Sequence, residues 1–177
     1  MPTKNFKGGA REISEDFFET PSCAVLPILK YIPAEVKKIW EPTNGKNGIS
    51  KHLSDYQVIK TDKFPKTTDT KEMDFLTDEP DFEFDMIIFN PPFSLKSAFL
   101  KRVLEFKKPF LFICPLTIIE TQTRSSLFYE HQLSIINLNK RVNYLTDRKG
   151  SAFFHSIWVL NDGKSKIYYE PLLNDSC

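Results

Sequence analysis

The chain has 177 residues, with 24 Lys and Arg against 23 Asp and Glu and a formal net charge of +1. At about 150 residues per domain this is a single domain, and it can bury about two-thirds of its unfolded surface without a disulfide or metal staple. Its 41% hydrophobic and 27% charged residues argue against disorder, the near-zero charge argues against a uniformly basic nucleic-acid coat, and no apolar run nears the ~20 residues of a membrane helix.

The N-terminus carries no signal-peptide core, and an intracellular, reducing compartment (cytoplasmic or nuclear) is expected. Cys23, Cys114 and Cys177 are odd in number and unpaired in spacing, and His52, His131 and His155 are scattered. No metal is expected from them. Cys23 and Cys114 lie in apolar runs and read as core residues.

Taken in order, Thr20-Pro21 predicts a helix start, with Thr as cap and Pro at the first helical position; Pro27 shortens that helix. Val36 to Trp40 reads as a strand ending at Glu41-Pro42. Residues 43 to 48 form a turn feeding a short helix from Ile49 to Leu53. Gln57 to Ile59 is a second strand, ending near Asp62, and residues 62 to 81 form a loop. Asp85 to Phe89 is a continuous apolar strand stopped by Asn90-Pro91-Pro92. Ser94 caps a helix bearing Leu95, Ala98, Phe99, Val103 and Phe106, which Pro109 ends. The next strand is Phe110 to Cys114. A helix near 125 to 132, a strand near 134 to 138 and two strands near 142 to 145 and 156 to 160 complete the chain.

Buried strands joined by helices imply an α/β, doubly wound, mostly parallel sheet, with the two late strands forming an antiparallel edge hairpin. The neutral total hides segregation. Residues 69 to 85 hold eight acids against Lys71, whereas 95 to 108 and 140 to 149 are basic. These runs read either as solvated faces or as an acidic edge and a phosphate-facing basic side carrying Lys96 and Arg141.

In such a sheet, ligands collect outside the carboxyl ends of the strands. Three predicted strand ends carry chemistry: Glu41-Pro42 with its glycine turn, Asp62, and Asn90-Pro91-Pro92-Phe93. The first brings backbone close to a ligand. Asp62 is placed to accept from ribose hydroxyls. In the third, two prolines remove two donors and leave carbonyl acceptors, the Asn adds an amide oxygen, and Phe93 offers a flat apolar face. That set suits a planar aromatic amine.

Asn90-Pro91-Pro92-Phe93 resembles the fourth motif of amino-group methyltransferases, and with the other motifs the chain is similar to small phage-type N6-adenine DNA methyltransferases. Phe18-Glu19-Thr20-Pro21 resembles their N-terminal cofactor motif, and Trp40-Glu41-Pro42-Thr43-Asn44-Gly45 their first motif. Asp62 falls where the ribose-binding acid stands, and Asp74-Phe75 where the cofactor adenine is contacted. Residues 140 to 160 resemble a late hairpin that supplies an aromatic to the target base. Asn47 stands where the family's second glycine falls, and Thr43-Asn44 replaces Ala-Cys.

The resemblance implies a class I, Rossmann-like fold and S-adenosyl-L-methionine as cofactor. It implies a catalytic loop of Asn90, Pro91, Pro92 and Phe93. The cofactor would meet Thr20, Pro21, Glu41, Pro42, Asn44, Gly45, Asp62, Asp74 and Phe75. The nucleic acid, DNA before RNA, would meet Tyr144, Phe153 or Phe154, with Lys96 and Arg141. Residues 1 to 15 would be a flexible arm on a single catalytic domain without a target-recognition domain, so loops, a homodimer or a partner would supply any sequence specificity. Other readings are an RNA-adenine or protein-glutamine methyltransferase and a non-catalytic binding subunit. An ordinary nucleotide-binding protein is a further one, although Gly45-Lys46-Asn47 is no phosphate-binding loop.

Overall fold

The computed structural model describes residues 18–144 and 154–173. These form one eight-stranded sheet from β1 (Lys38–Glu41), β2 (Gln57–Asp62), β3 (Lys71–Glu72), β4 (Met86–Phe89), β5 (Phe110–Pro115), β6 (Ser134–Leu138), β7 (Ser156–Leu160) and β8 (Ile167–Glu170), in the order β3-β2-β1-β4-β5-β7-β6-β8. All pairs are parallel except those of β7, which runs against both β5 and β6. The helices are α1 (Ser22–Val25), α2 (Lys96–Glu105) and α3 (Gln122–Glu130).

Alternation along the strands divides the core into two layers. Ile39, Ile88, Leu111, Ile113 and Trp158 face one side, with Ala24, Val25 and Ile28. Trp40, Phe89, Phe110 and Phe112 face the other, with Phe75 from the loop and Phe99 and Val103 from α2. Many of the chain's 16 Phe lie in this second layer, where Phe75 stacks on Phe99 at 5.1 Å and Phe89 on Phe112 at 5.2 Å. Both indole N–H groups find acceptors: Trp40 donates to Thr61 Oγ1 at 2.8 Å and Trp158 to the Ala24 carbonyl at 2.9 Å. The second bond ties α1 to the sheet across 134 residues of chain.

Several elements depart from the sequence expectation. The helix after Thr20 is four residues long and passes into a 3-10 turn over Leu26–Tyr31, with Pro27 at its start; Pro21 is the N-cap, and no side chain caps it. Thr20 is engaged elsewhere, as shown below. Ile49 to Leu53 shortens to a 3-10 turn at Ser50–His52. Ser94 lies within a 3-10 turn, Phe93–Leu95, that precedes α2, and the N-cap of α2 is Leu95, with no side-chain cap.

The expected edge hairpin takes a different form. Residues 142 to 144 are not a strand; Val142 and Tyr144 are buried in the core, and the Tyr144 hydroxyl donates to Ser156 Oγ at 2.8 Å. The antiparallel strand β7 therefore lies inside the sheet, paired to β6, and the edge is β8. Glu170 on β8 accepts from Lys30 and Tyr31, which closes the sheet edge against the 3-10 turn. Leu145 lies outside the described residues.

The acidic stretch is largely paired within its own neighbourhood. Asp69 pairs with Lys60, Asp74 with Lys63 and Asp81 with Lys71. Asp85 accepts from the Lys37 and Lys38 amides. Arg102, from the basic stretch, turns into the acidic loop, pairing with Glu79 and Glu105 and donating to the Phe75 and Asp78 carbonyls. It clamps the loop and does not face solvent phosphates. No described helix is long and apolar enough to cross a membrane.

Candidate active site

Strand order reverses at β1 and β4, whose carboxyl ends diverge into a crevice. There lies a cavity of about 700 Å3, within the range of small-molecule sites. Glu41, Pro42 and Gly45 line it from the end of β1, Asp62 from β2, and Asn90, Pro91 and Pro92 from β4. Thr20, Asn44, Asp74 and Phe75 line it too.

The turn after β1 is built on two left-handed residues, Gly45 at φ 55° and Asn47 at φ 66°. Asn tolerates this region better than most residues, so Asn47 serves where the resembled motif has glycine. Its Oδ1 also accepts from Asn44 Nδ2 at 3.0 Å and from Ser50 Oγ at 3.1 Å. Asn44 is buried and donates to Thr70 Oγ1 at 2.7 Å, which ties the turn to the loop after β2. Gly48 has to be small. A Cβ there would lie 2.5 Å from Glu19 Oε1 and 3.0 Å from the Thr20 carbonyl.

Asp62 closes the turn from β2: Oδ2 accepts from the Gly45 amide at 2.9 Å and Oδ1 from the Phe64 amide at 2.8 Å. Asp74 accepts from Leu76 N at 3.0 Å and pairs with Lys63 at 2.7 Å. Burial pushes its carboxyl up, but Lys63 and the Leu76 amide outweigh this and hold it below the ordinary range.

Two carboxylates face the turn. Glu41 is 1% exposed, and its Oε2 has no hydrogen-bond partner. Burial lifts its carboxyl well above the ordinary value, the Ser50 hydrogen bonds oppose this, and the Glu19 charge adds to it. Glu19, half-buried, accepts from the Lys46 amide, and burial raises its carboxyl also. Such a pair suits a cationic ligand group, which would relieve both.

Asn90 is held at every polar atom but one. Its backbone N–H donates to Thr43 Oγ1 at 3.2 Å, and the Thr43 hydroxyl donates to its carbonyl at 2.9 Å. Its Nδ2 donates to the Phe18 carbonyl at 2.7 Å and to Thr20 Oγ1 at 2.9 Å. A carbonyl only accepts, so the amide orientation is fixed. Oδ1 is left as a buried acceptor without a donor. Among the described residues, Asn90 Oδ1 and Glu41 Oε2 are the buried side-chain atoms in that condition.

The aromatic side of the site gathers around Phe93. Phe18 stacks on it with centroids 5.2 Å apart and planes 19° from parallel. Tyr144 and Phe154 meet Phe93 edge-on, at 5.7 and 5.3 Å with planes at 73° and 88°. Tyr144 and Phe154 thus stand as walls, and the ring parallel to Phe93 is Phe18.

Of the residues expected from sequence, all of the catalytic and cofactor sets except Pro21 and Phe93 line the one cavity, with Phe93, Tyr144 and Phe154 adjoining it through Phe18. Pro21 caps α1 beside Thr20. Lys96 folds back to donate to the Phe93 carbonyl at 3.3 Å. Arg141 is exposed beyond β6, near enough to His155 to add to the burial that lowers its pKa. Phe153 lies outside the described residues. Phe18, Glu19 and Thr43 stand within the resembled motifs, but the sequence reading gave them no role of their own in the site.

No protein-family model and no curated protein matches the chain. Solved structures do. A type I restriction-modification methyltransferase subunit of Streptococcus thermophilus aligns at TM-score 0.63 and 12% identity over 87% of this chain and 47% of that one. The chain thus spans about half the length of that subunit. A candidate RNA methyltransferase of Pyrococcus horikoshii aligns at 0.62 and 16%, over 86% and 89%. A candidate class I S-adenosylmethionine-dependent methyltransferase of Listeria monocytogenes aligns at 0.61 and 14%, over 94% and 68%. The chain has the class I methyltransferase fold. In that methyltransferase fold the cavity sits where doubly wound sheets hold their ligands.

Proposed function

We propose that this protein transfers a methyl group from S-adenosylmethionine to the exocyclic N6 amine of adenine in nucleic acid, with DNA as the favoured substrate. The carrying observation is the Asn90 amide, locked with its oxygen as a buried acceptor lacking a donor.

The cavity's donors and acceptors fit the cofactor. The buried, partnerless Glu41 Oε2 with Glu19 beside it suits the ammonium of an amino acid. Asp62 offers carboxylate lone pairs to ribose hydroxyls. Asp74-Phe75 offers an acceptor and a flat face to a purine, with Lys63 yielding its ion pair. When bound, S-adenosylmethionine supplies an electrophilic methyl group on a sulfonium.

Everything else falls to the chain. An adenine amine is a poor nucleophile because its lone pair is delocalised into the ring. Asn90 Oδ1 and the Pro91 carbonyl accept its two hydrogens, which favours a pyramidal nitrogen with a localised lone pair. The acceptors are fixed beforehand, so no reorganisation accompanies the reaction. Phe93 stacks on the ring, and Tyr144 and Phe154 wall it in. In a duplex, the base must leave the stack to reach this slot, so single-stranded or mismatched sites react first.

The test is transfer of labelled methyl to single-stranded DNA, duplex DNA, RNA and protein, with Asn90→Ala as control. The reading predicts label in DNA from the wild type and almost none from the variant. Label in protein alone, or a fully active variant, overturns it.

A further inference from the structure

The four rings at the site meet in an arrangement that the motif does not explain. Phe18 lies nearly parallel to Phe93, and it also touches Tyr144 at 5.4 Å and Phe154 at 5.9 Å. All four rings touch one another, but among these pairs only Phe18 and Phe93 stack, while the Phe18 carbonyl accepts from Asn90 Nδ2. We propose that the Phe18 side chain stands in the slot of the target base, as the chain's own competitor, and that base entry turns it out. This rests on the adenine reading above and adds to it a displacement step.

Distances carry the argument. A planar base sandwiched between two rings holds their planes about 7 Å apart, twice the ~3.5 Å contact distance. Phe18 and Phe93 are centred 5.2 Å apart, so no base fits between them. A base stacked on this face of Phe93 therefore takes the place of Phe18. The rest of the slot is already shaped for a flat ring, since Tyr144 and Phe154 stand edge-on to Phe93. Asn90 supplies the polar edge that phenylalanine cannot use, and its Oδ1 is correspondingly unpartnered.

The exchange needs only a small movement. Rotation of Phe18 about χ1 removes the ring while its carbonyl stays on Asn90 Nδ2. Thr20 holds the same nitrogen from two residues further on, so the amide keeps its orientation as the ring leaves. Phe18 shields the apolar slot from water, and a ligand has to supply better stacking and an amine before it is admitted.

The experiment uses the full chain and needs no methyl transfer. The wild type, Phe18→Ala and Phe18→Leu are titrated with 9-methyladenine and with 9-methylpurine, which lacks the amine. Thermal melts confirm folding, and the Leu variant carries the comparison should the Ala variant not fold. Phe18→Ala is expected to bind 9-methyladenine about tenfold more tightly than the wild type, the size of one aromatic pair, with Phe18→Leu between them. Equal affinities in all three proteins, or weaker binding to folded variants, overturn the proposal. If the variants bind both probes tightly and equally, the slot is Phe18's as proposed, but the adenine-amine reading fails. The two failures are thus distinguishable.

Discussion

Rotating the Asn90 amide would break two hydrogen bonds and replace its buried acceptor with a donor. Phe18 and Thr20 impose that constraint on the amide, and Thr43 holds the Asn90 backbone. Asn90→Ala should reduce methyl transfer by about 10²–10³-fold, the cost of one preorganised hydrogen-bonding partner, while calorimetry shows cofactor still bound. Glu41 gives a second test. Burial lifts its carboxyl well above its ordinary value of 4.5, so the folded chain binds this proton more tightly than the unfolded chain. Stability from this group is full below that ordinary value and is lost as pH rises through the raised one. Glu41→Gln should therefore melt higher than the wild type at about pH 8, with the gap closing towards about pH 5. The same variant should lose cofactor affinity. A gap that widens on acidification contradicts the assignment.

At the scale of elements, the strap 18–21 and the turn 43–48 form one unit. Gly48 is where they touch, and Gly48→Ala should cost about 1–3 kcal/mol through overpacking against Glu19 and the Thr20 backbone, together with weaker cofactor binding; denaturant melts and calorimetry read the two effects. Arg102 makes the corresponding clamp on the acidic loop, holding the Phe75 carbonyl from α2. Arg102→Met should raise KM for S-adenosylmethionine more than it lowers kcat. These clamps explain what the sequence could disclose. Strands β1, β2 and β4 were readable because runs ending in Glu-Pro, Asp or Asn-Pro are local signals, β5 to β7 because they are short apolar runs, and Asn90-Pro91-Pro92-Phe93 is a local signal too. The edge strand β8 escaped because Ile167 and Tyr169 are exposed and its apolar pattern is weak. The region 142 to 144 misled because its alternation serves burial of Val142 and Tyr144 without strand pairing. The contacts of Thr43 and Phe18 with Asn90 span 47 and 72 residues, and no local pattern encodes them. The charge segregation was visible, but Arg102's turn into the acidic loop was not.

For the whole molecule, a sheet covered on both faces holds β1 and β4 side by side, and their carboxyl ends bring Glu41 and Asn90 to one crevice. Ligand binding should then stabilise the entire domain. At a hundredfold excess over Kd, S-adenosylmethionine adds about 2.7 kcal/mol, which for a domain of this size raises Tm by roughly 5–10 °C. A thermal scan with and without cofactor checks this, and an unmoved Tm speaks against the cavity as the cofactor site. The most direct test of the central claim is mass spectrometry of nucleosides from DNA treated with the protein and S-adenosylmethionine. The account predicts N6-methyladenine from the wild type and its loss in Asn90→Ala. Methylcytosine as the product, or N6-methyladenine undiminished in the variant, would contradict it.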